Sequence, residues 1–246
     1  DRLLSRLPGV KALFERARPV HPFVHSPRVA FRSTAVVGRR WAMLPSAAGV
    51  IDPLLSTGFP LNLLGIARLL EVLADAWEDP RQEAALARYA DETQAELDAT
   101  ERLVAALYAT MPDFALFKKL ALLYFAAASF SETVRRLGRP ERARGFLLHE
   151  DPAFGPELRA CCDTALGRPT GAVRERLLAR IDAAVEPKDV AGLSDRGRRD
   201  HYPVHAGDLL AGAAKLGASR DEIEGLLARC GFVPGSGGRS AALLVE

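Results

Sequence analysis

The sequence predicts a mainly α-helical protein with one short β segment near its start, and three observations carry that fold class. Only residues 29–32 and 35–44 have the bounded, β-branched pattern of strands, separated by Ser33-Thr34 and interrupted near Gly38. From Gly58 through residue 234 the apolar residues recur at helical spacing. No internal repeat divides that helical stretch. Two strands cannot stand alone in water, so the β segment is expected to belong to a sheet of which this chain holds little.

The chain totals fit that reading. At 246 residues it can bury a sizeable core as one large domain or two small ones. A hydrophobic share of 48% with 26% charged residues is ordinary for a globular protein. The net charge of +2 is carried by scattered basic residues, which argues against a nucleic-acid partner. Three cysteines, Cys161, Cys162 and Cys230, form neither a disulfide framework nor a zinc pattern, and are expected as free thiols in a reducing cytoplasm. No signal peptide opens the chain. The longest charge-free apolar run, 120–130, falls well short of the ~20 residues of a membrane span, so a soluble protein with no span is expected. The chain begins at Asp1 inside an amphipathic pattern, which leads us to expect a piece of a longer protein.

Taken in order, 1–18 places Leu3, Leu4, Leu7, Val10, Leu13, Phe14 and Ala17 at helical spacing, broken by Pro8-Gly9. Residues 18–27 hold three prolines with His21 and His25 and read as an extended connector. After the strands, 41–58 passes through a small-residue turn and a Pro-marked second turn. The helix predicted over 61–77 is apolar nearly all round, with Arg68, Glu71 and Asp75 as a narrow polar stripe, so burial on several sides is expected. Asp79-Pro80-Arg81-Gln82 reads as an N-cap, a proline at the first position and a capping partner. The helix it starts runs to Met111, with Leu86, Tyr89, Thr93, Leu97, Thr100, Leu103 and Leu107 on one face. Pro112-Asp113 restarts the chain for a helix over 114–137, stopped by Gly138 and Pro140. Shorter helices are expected over 141–149, 156–166, 171–185, 206–216 and 220–229. A connector spans 190–204, and a Gly/Ser-rich tail covers 235–246.

Most candidate sites have a plain structural reading. His201 and His205 are four apart, but Pro203 between them denies a regular helix, and no acidic ligand accompanies them. His21 and His25 flank prolines in a connector. Gly235-Ser236-Gly237 lacks the frame of a nucleophile elbow. The aromatic series Phe114, Phe117, Tyr124, Phe125 and Phe130 is core by default; its functional reading is one wall of an apolar pocket. Glu132 either pairs with a neighbouring arginine or orients a substrate, pairing being the simpler reading. No catalytic residue and no metal ligand is assigned.

Residues 41–58 are more specialised. Small residues let a backbone approach a ligand closely, and a helix start offers unpaired N–H groups to an anion or a polar ring edge. Ser56 and Thr57 are candidate N-caps for the helix that follows, with Pro60 tolerated in its first turn. The plain reading is an ordinary strand-to-helix connection. Gly49, Asp52-Pro53 and Ser56-Thr57-Gly58 in quick succession exceed what such a connection requires.

The run Pro45-Ser46-Ala47-Ala48-Gly49-Val50-Ile51-Asp52-Pro53-Leu54-Leu55-Ser56-Thr57-Gly58 resembles the second flavin motif of FAD-dependent monooxygenases, most closely that of flavin-dependent halogenases. Downstream, 123–128 and the Asp200-His201-Tyr202-Pro203-Val204 connector are similar to the helical C-terminal part of such oxidoreductases. The resemblance implies FAD as cofactor, with Ser46, Ala47, Ala48 and Gly49 near its ribityl chain and Asp52 and Pro53 shaping the turn beside the flavin. Ser56, Thr57 and Gly58 would then offer backbone N–H groups to the flavin edge or to a halide. A helix start favours negative charge by about 0.3–1 kcal/mol per interaction, which suits both a reduced flavin and a halide.

Two positions depart from the pattern. Pro45-Ser46 replaces the usual Gly-Asp, so a hydroxyl stands where a carboxylate would hold ribityl hydroxyls. Leu55 stands where tryptophan halogenases carry a catalytic glutamate, which argues against that route to tryptophan halogenation. The Gly-x-Gly-x-x-Gly fingerprint and the catalytic lysine belong to the family's N-terminal half and are absent from this chain.

The resemblance divides the chain into 1–58, the end of an FAD-binding α/β fold of which the β segment is a remnant; 59–234, a C-terminal helical domain; and 235–246, a loose tail. It implies oxygen activation on reduced flavin, acting on an apolar or aromatic small molecule, with a flavin reductase or NAD(P)H as electron source. This chain alone is not expected to turn over. Two alternatives stand beside it: a helical binding or scaffold module without flavin turnover, and an FAD-dependent reductase of lipid-like substrates.

Overall fold

In a computed structural model, the structure describes residues 6–18, 20–27, 29–75, 81–195, 197 and 205–232. The capping pair Asp79-Pro80, the connector residues 198–204 including His201, and the tail 235–246 lie outside the described residues.

The chain opens with α1 (Pro8–Phe14), which starts at the proline that the sequence pattern reads as a break. This is the position where a missing N–H costs nothing. No residue of α1 is buried. The strands are shorter than predicted and form two separate antiparallel ladders. β1 (Phe31–Arg32) pairs with β4 (Gly49–Val50), and β2 (Val37–Gly38) pairs with β3 (Trp41–Ala42). Between β3 and β4 the expected small-residue turn is a single helical turn, α2 (Pro45–Ala48).

These small ladders are held by α4 (Arg81–Thr110), the 30-residue spine of the fold. Arg32 donates Nε to Gln94 Oε1 (2.8 Å) and Nη2 to the Gln94 carbonyl (3.1 Å), and it also pairs with Asp98. Gln94 in turn donates to the Ser33 carbonyl at 3.1 Å. Tyr89, fully buried, donates its hydroxyl to the Met43 carbonyl at 2.7 Å. A two-stranded ladder that cannot hold itself in water is thus stapled to a helix.

α4 packs on α6 (Phe154–Leu166), α5 (Phe114–Arg136) and α3 (Gly58–Asp75), while α7 (Gly171–Val185) closes the bundle against α5 and α6. The core is the set Tyr89, Leu97, Leu103 and Leu107 of α4, Leu116, Leu120, Leu123 and Phe130 of α5, with Leu158 and Ile181 across from them. Met111 is exposed, one residue past the helix end. α5 starts where Asp113 accepts from Leu116 N (3.2 Å) and ends in a Schellman arrangement. There Gly138, at φ 76°, donates to Arg135 O, and Arg139 N donates to Val134 O at 2.9 Å. Of the α5 aromatics, only Phe130 is fully buried; Phe114 is 71% exposed and the others are half-buried. Glu132 pairs with Arg136 at 2.5 Å on the exposed face.

Two predicted helices resolve differently. Residues 141–149 form two 3-10 turns, Pro140–Arg142 and Phe146–Leu148. The helix expected over 206–216 divides at Gly212 into α8 (Ala206–Ala211) and α9 (Ala213–Leu216). A side chain at Gly212 would lie 3.2 Å from Val190 Cα, so the helix bends where it meets the preceding connector. The last described helix is α10 (Arg220–Arg229), opened by a complete Ser219–Glu222 capping box.

The largest correction concerns α3. It buries Leu61 and Gly65 and turns Arg68 inward onto α4, while Phe59, Leu63, Ile66, Leu70 and Leu73 are exposed in one continuous stripe. It is covered on one side, not several. By length and composition alone, Leu54–Ala74 and Phe114–Arg136 are each long and apolar enough to cross a membrane, which the uninterrupted-run argument missed. A core helix passes the same test, and α5 has its leucines inside the bundle.

Candidate functional site

The two ends of 46–58 are built differently. At the first end every N–H of α2 is already engaged. Pro45 has none, Ser46 N donates to Asn62 Oδ1 (3.0 Å), and Ala47 N and Ala48 N both donate to the Leu44 carbonyl (2.8 and 3.0 Å). Asn62 Nδ2 donates back to Ser46 Oγ at 2.8 Å, so Ser46 and Asn62 clamp α2 to the first turn of α3. Ser46 and Ala47 are exposed, whereas Ala48 and Gly49 are buried. Gly49 is extended (φ −171°), and a Cβ there would lie 3.1 Å from Arg32 Cδ and 3.2 Å from Leu97 Cδ1. Its smallness serves packing against β1 and α4.

The second end is a turn held open toward solvent. Asp52 Oδ1 accepts from Leu54 N (2.8 Å) and from the Tyr108 hydroxyl (2.9 Å), tying the turn to the last residues of α4. That bond to Asp52 is the main cause that raises the Tyr108 pKa, since losing the phenol proton would set a phenolate against a carboxylate. Pro53 is exposed and right-handed, then Leu55 (φ 63°, ψ 8°) and Ser56 (φ 52°) are both left-handed, and Thr57 returns to φ −64°. Two consecutive non-glycine residues with positive φ cost about 1–3 kcal/mol each and persist only where surrounding contacts over-determine them. Thr57 stands immediately before α3, its carbonyl accepting from Leu61 N at 3.2 Å, and it is buried in a right-handed conformation, while Ser56 lies one residue further out. Gly58 and Phe59 are the first two residues of α3, so their N–H groups have no acceptor within that helix. Gly58 is exposed, with open space where a Cβ would sit.

These first two amides of an 18-residue helix suit an anionic or ring-edge acceptor at 56–58. The engaged donors at 46–49 leave contact there to the Ser46 hydroxyl and the Ala47 surface. Sequence reasoning missed Asn62 and Tyr108. Asn62 is the only asparagine of the chain and a polar interruption in an apolar helix, a signal that could have found it; Tyr108 carries no such mark.

Elsewhere the chemistry is quiet. Burial pushes the thiols of Cys161 and Cys162 up to about 11 and about 12, which makes them poor nucleophiles, and Cys230 is exposed and free. His21 and His25 lie exposed in the N-terminal connector.

No family model matches the sequence. Against curated proteins, the chain is 34% identical over 121 residues to monodechloroaminopyrrolnitrin halogenase PrnC of Pseudomonas fluorescens. It is also 40% identical over 55 residues to tetracycline 7-halogenase of Kitasatospora aureofaciens. Among solved structures it matches halogenase PltM, determined with phloroglucinol and FAD, at a TM-score of 0.57 and 20% identity. The chain is flavin-dependent halogenase-like. The likeness to PltM concerns the fold, and takes in 80% of this halogenase-like chain and 44% of PltM. The PrnC match takes in 48% of this chain and 21% of PrnC, and the tetracycline 7-halogenase match 22% and 10%. The chain therefore spans a minor part of the curated relatives it matches.

Proposed function

We propose that this chain is the flavin-proximal turn and helical C-terminal portion of an FAD-dependent oxidoreductase of the halogenase and monooxygenase type. The observation that carries the reading is the 52–58 turn, which presents the first amides of α3, those of Gly58 and Phe59, while Asp52 is tied from behind by Tyr108. Pro53, Ser56 and Gly58 form the flavin-facing surface, with buried Thr57 setting the backbone from inside; Ser46 and Ala47 border the ribityl chain. Ala48 and Gly49 act indirectly, by letting α2 sit against α4. A halide is a second occupant for the Ser56-Thr57-Gly58 corner. When bound, the flavin supplies oxygen activation for halogenation or hydroxylation. A flavin reductase or NAD(P)H provides electrons, and the substrate is a small apolar or aromatic compound of the cytoplasm.

The test is made on the protein containing this chain together with its FAD-binding body. A bound-flavin absorption spectrum and a halide-dependent product support the halogenase reading. Bound FAD without halide dependence favours a monooxygenase or reductase. A colourless protein that takes up no FAD would falsify the proposal and leave a helical scaffold.

A further inference from the structure

We infer that Tyr108 is a positioning residue of the flavin-facing turn: through Asp52 it fixes the backbone that aims the Gly58 and Phe59 amides. The inference rests on the flavin reading above and names the residue that makes that surface rigid.

The geometry is specific. Asp52 Oδ1 receives one bond from within the turn, Leu54 N, and one from outside it, Tyr108. The outside bond spans 56 residues of sequence and comes from the long helix that forms the spine of the fold. Between Asp52 and α3 lie the two left-handed residues Leu55 and Ser56; Leu54 and Leu55 pack against the core, and Ser56 N donates to the Pro53 carbonyl at 3.0 Å. Turns with that backbone relax unless something rigid fixes their ends. One end is fixed by α3 itself, whose Leu61 N donates to the Thr57 carbonyl at 3.2 Å. The other end is fixed by the Asp52–Tyr108 bond. Tyr108 is 47% exposed and contributes little to the core, so its hydroxyl has no evident packing role.

Three readouts test it. In the flavin-free protein, Tyr108→Phe raises hydrogen exchange of the Ser56 and Thr57 amides by about tenfold, as a turn opened locally should. Asp52→Ala does the same, the double variant adds nothing further, and Asp52→Asn, which keeps an acceptor oxygen, restores slow exchange. In the FAD-loaded protein, Tyr108→Phe weakens the preference for reduced over oxidised flavin by up to tenfold. The midpoint potential then falls by up to about 30 mV for the two-electron couple. Tyr89→Phe is the control: it removes a buried bond to the Met43 carbonyl, lowers the melting temperature and leaves the potential unchanged. Wild-type protein that binds no FAD sinks the flavin reading, and the positioning role with it. Wild-type protein that binds FAD, with Tyr108→Phe unchanged in exchange and potential, overturns Tyr108 alone.

Discussion

At the scale of single residues, the described structure puts its charge pairs where they lock elements together. Glu96 on α4 is 1% exposed, pairs with Arg68 of α3, and accepts from Phe146 N at 2.8 Å. Burial works against the Arg68 charge, but Glu96 first and Glu92 next outweigh it, and the Arg68 pKa rises. Removing one partner of such a pair leaves a buried charge uncompensated. Arg68→Met is expected to lower stability by about 3 kcal/mol in urea titration, because it leaves the Glu96 carboxylate buried without its charge partner. Glu96→Gln keeps an acceptor for Phe146 N and costs less. Equal losses for the two variants would contradict this account. A second pair sets an acid limit. Hydrogen bonding from Arg174 on α7, the largest cause, holds the Asp113 carboxyl well below its usual 3.8, at about 2. A carboxyl depressed in the folded state stabilises above its unfolded pKa, and that contribution is lost as pH falls through the folded value. Thermal melts should therefore show a decline between about pH 4 and about pH 2 that Asp113→Asn flattens. The Asp113 bond to Leu116 N makes α5 fray first in that window.

At the scale of elements, helices with local stop and start signals were legible in the sequence, and those shaped by distant contacts were not. α7 and α10 have the predicted bounds, and α5 ends within one residue of them; Asp113 and Gly138 on α5 and the Ser219–Glu222 box on α10 act locally, while Thr170 makes no side-chain cap on α7. Residues 141–149 look helical by composition, yet Phe146 N is claimed by Glu96, fifty residues away, and Leu147 and Leu148 adopt positive φ. The candidate site shows the same limit. Gly49 and Ala48 are small because α4 and β1 press on them, and a sequence cannot distinguish a glycine facing a ligand from one facing a leucine. Gly65 is the matching case inside α3. A Cβ there would sit 2.4 Å from Pro45 Cδ, so α2 rests directly on the helix backbone. Gly65→Ala gains about 1 kcal/mol of helix propensity but forces α2 away from α3. We expect a net loss of about 1–3 kcal/mol in chemical denaturation, together with a weakened Ser46–Asn62 clamp. A stabilised variant would mean that α2 moves freely.

For the whole molecule, the distribution of apolar surface is uneven. The helical bundle is closed around its core, but α3 exposes Phe59, Leu63, Ile66, Leu70 and Leu73 at alternating spacings of four and three. The N-terminal stretch adds Leu13, Phe14, Val20, Phe23 and Val24, all more than half exposed. From Phe59 to Leu73 the stripe runs about 20 Å at 1.5 Å per residue, with no charged residue among its exposed leucines, isoleucine and phenylalanine. Contiguous apolar surface of that kind drives association in water. The isolated chain is therefore expected to sediment as mixed oligomers at micromolar concentration and to bind apolar dyes. Leu63→Glu with Leu70→Glu places two charges in the middle of the stripe without touching the core, so folding stability should change by only about 0.5 kcal/mol per site. The doubly substituted chain should sediment mainly as a monomer with reduced dye binding and an unchanged far-ultraviolet helix signal. If it still associates as the parent does, the N-terminal stretch rather than α3 carries the adhesive surface. Loss of the helix signal would mean that the stripe already packs inside the isolated fold.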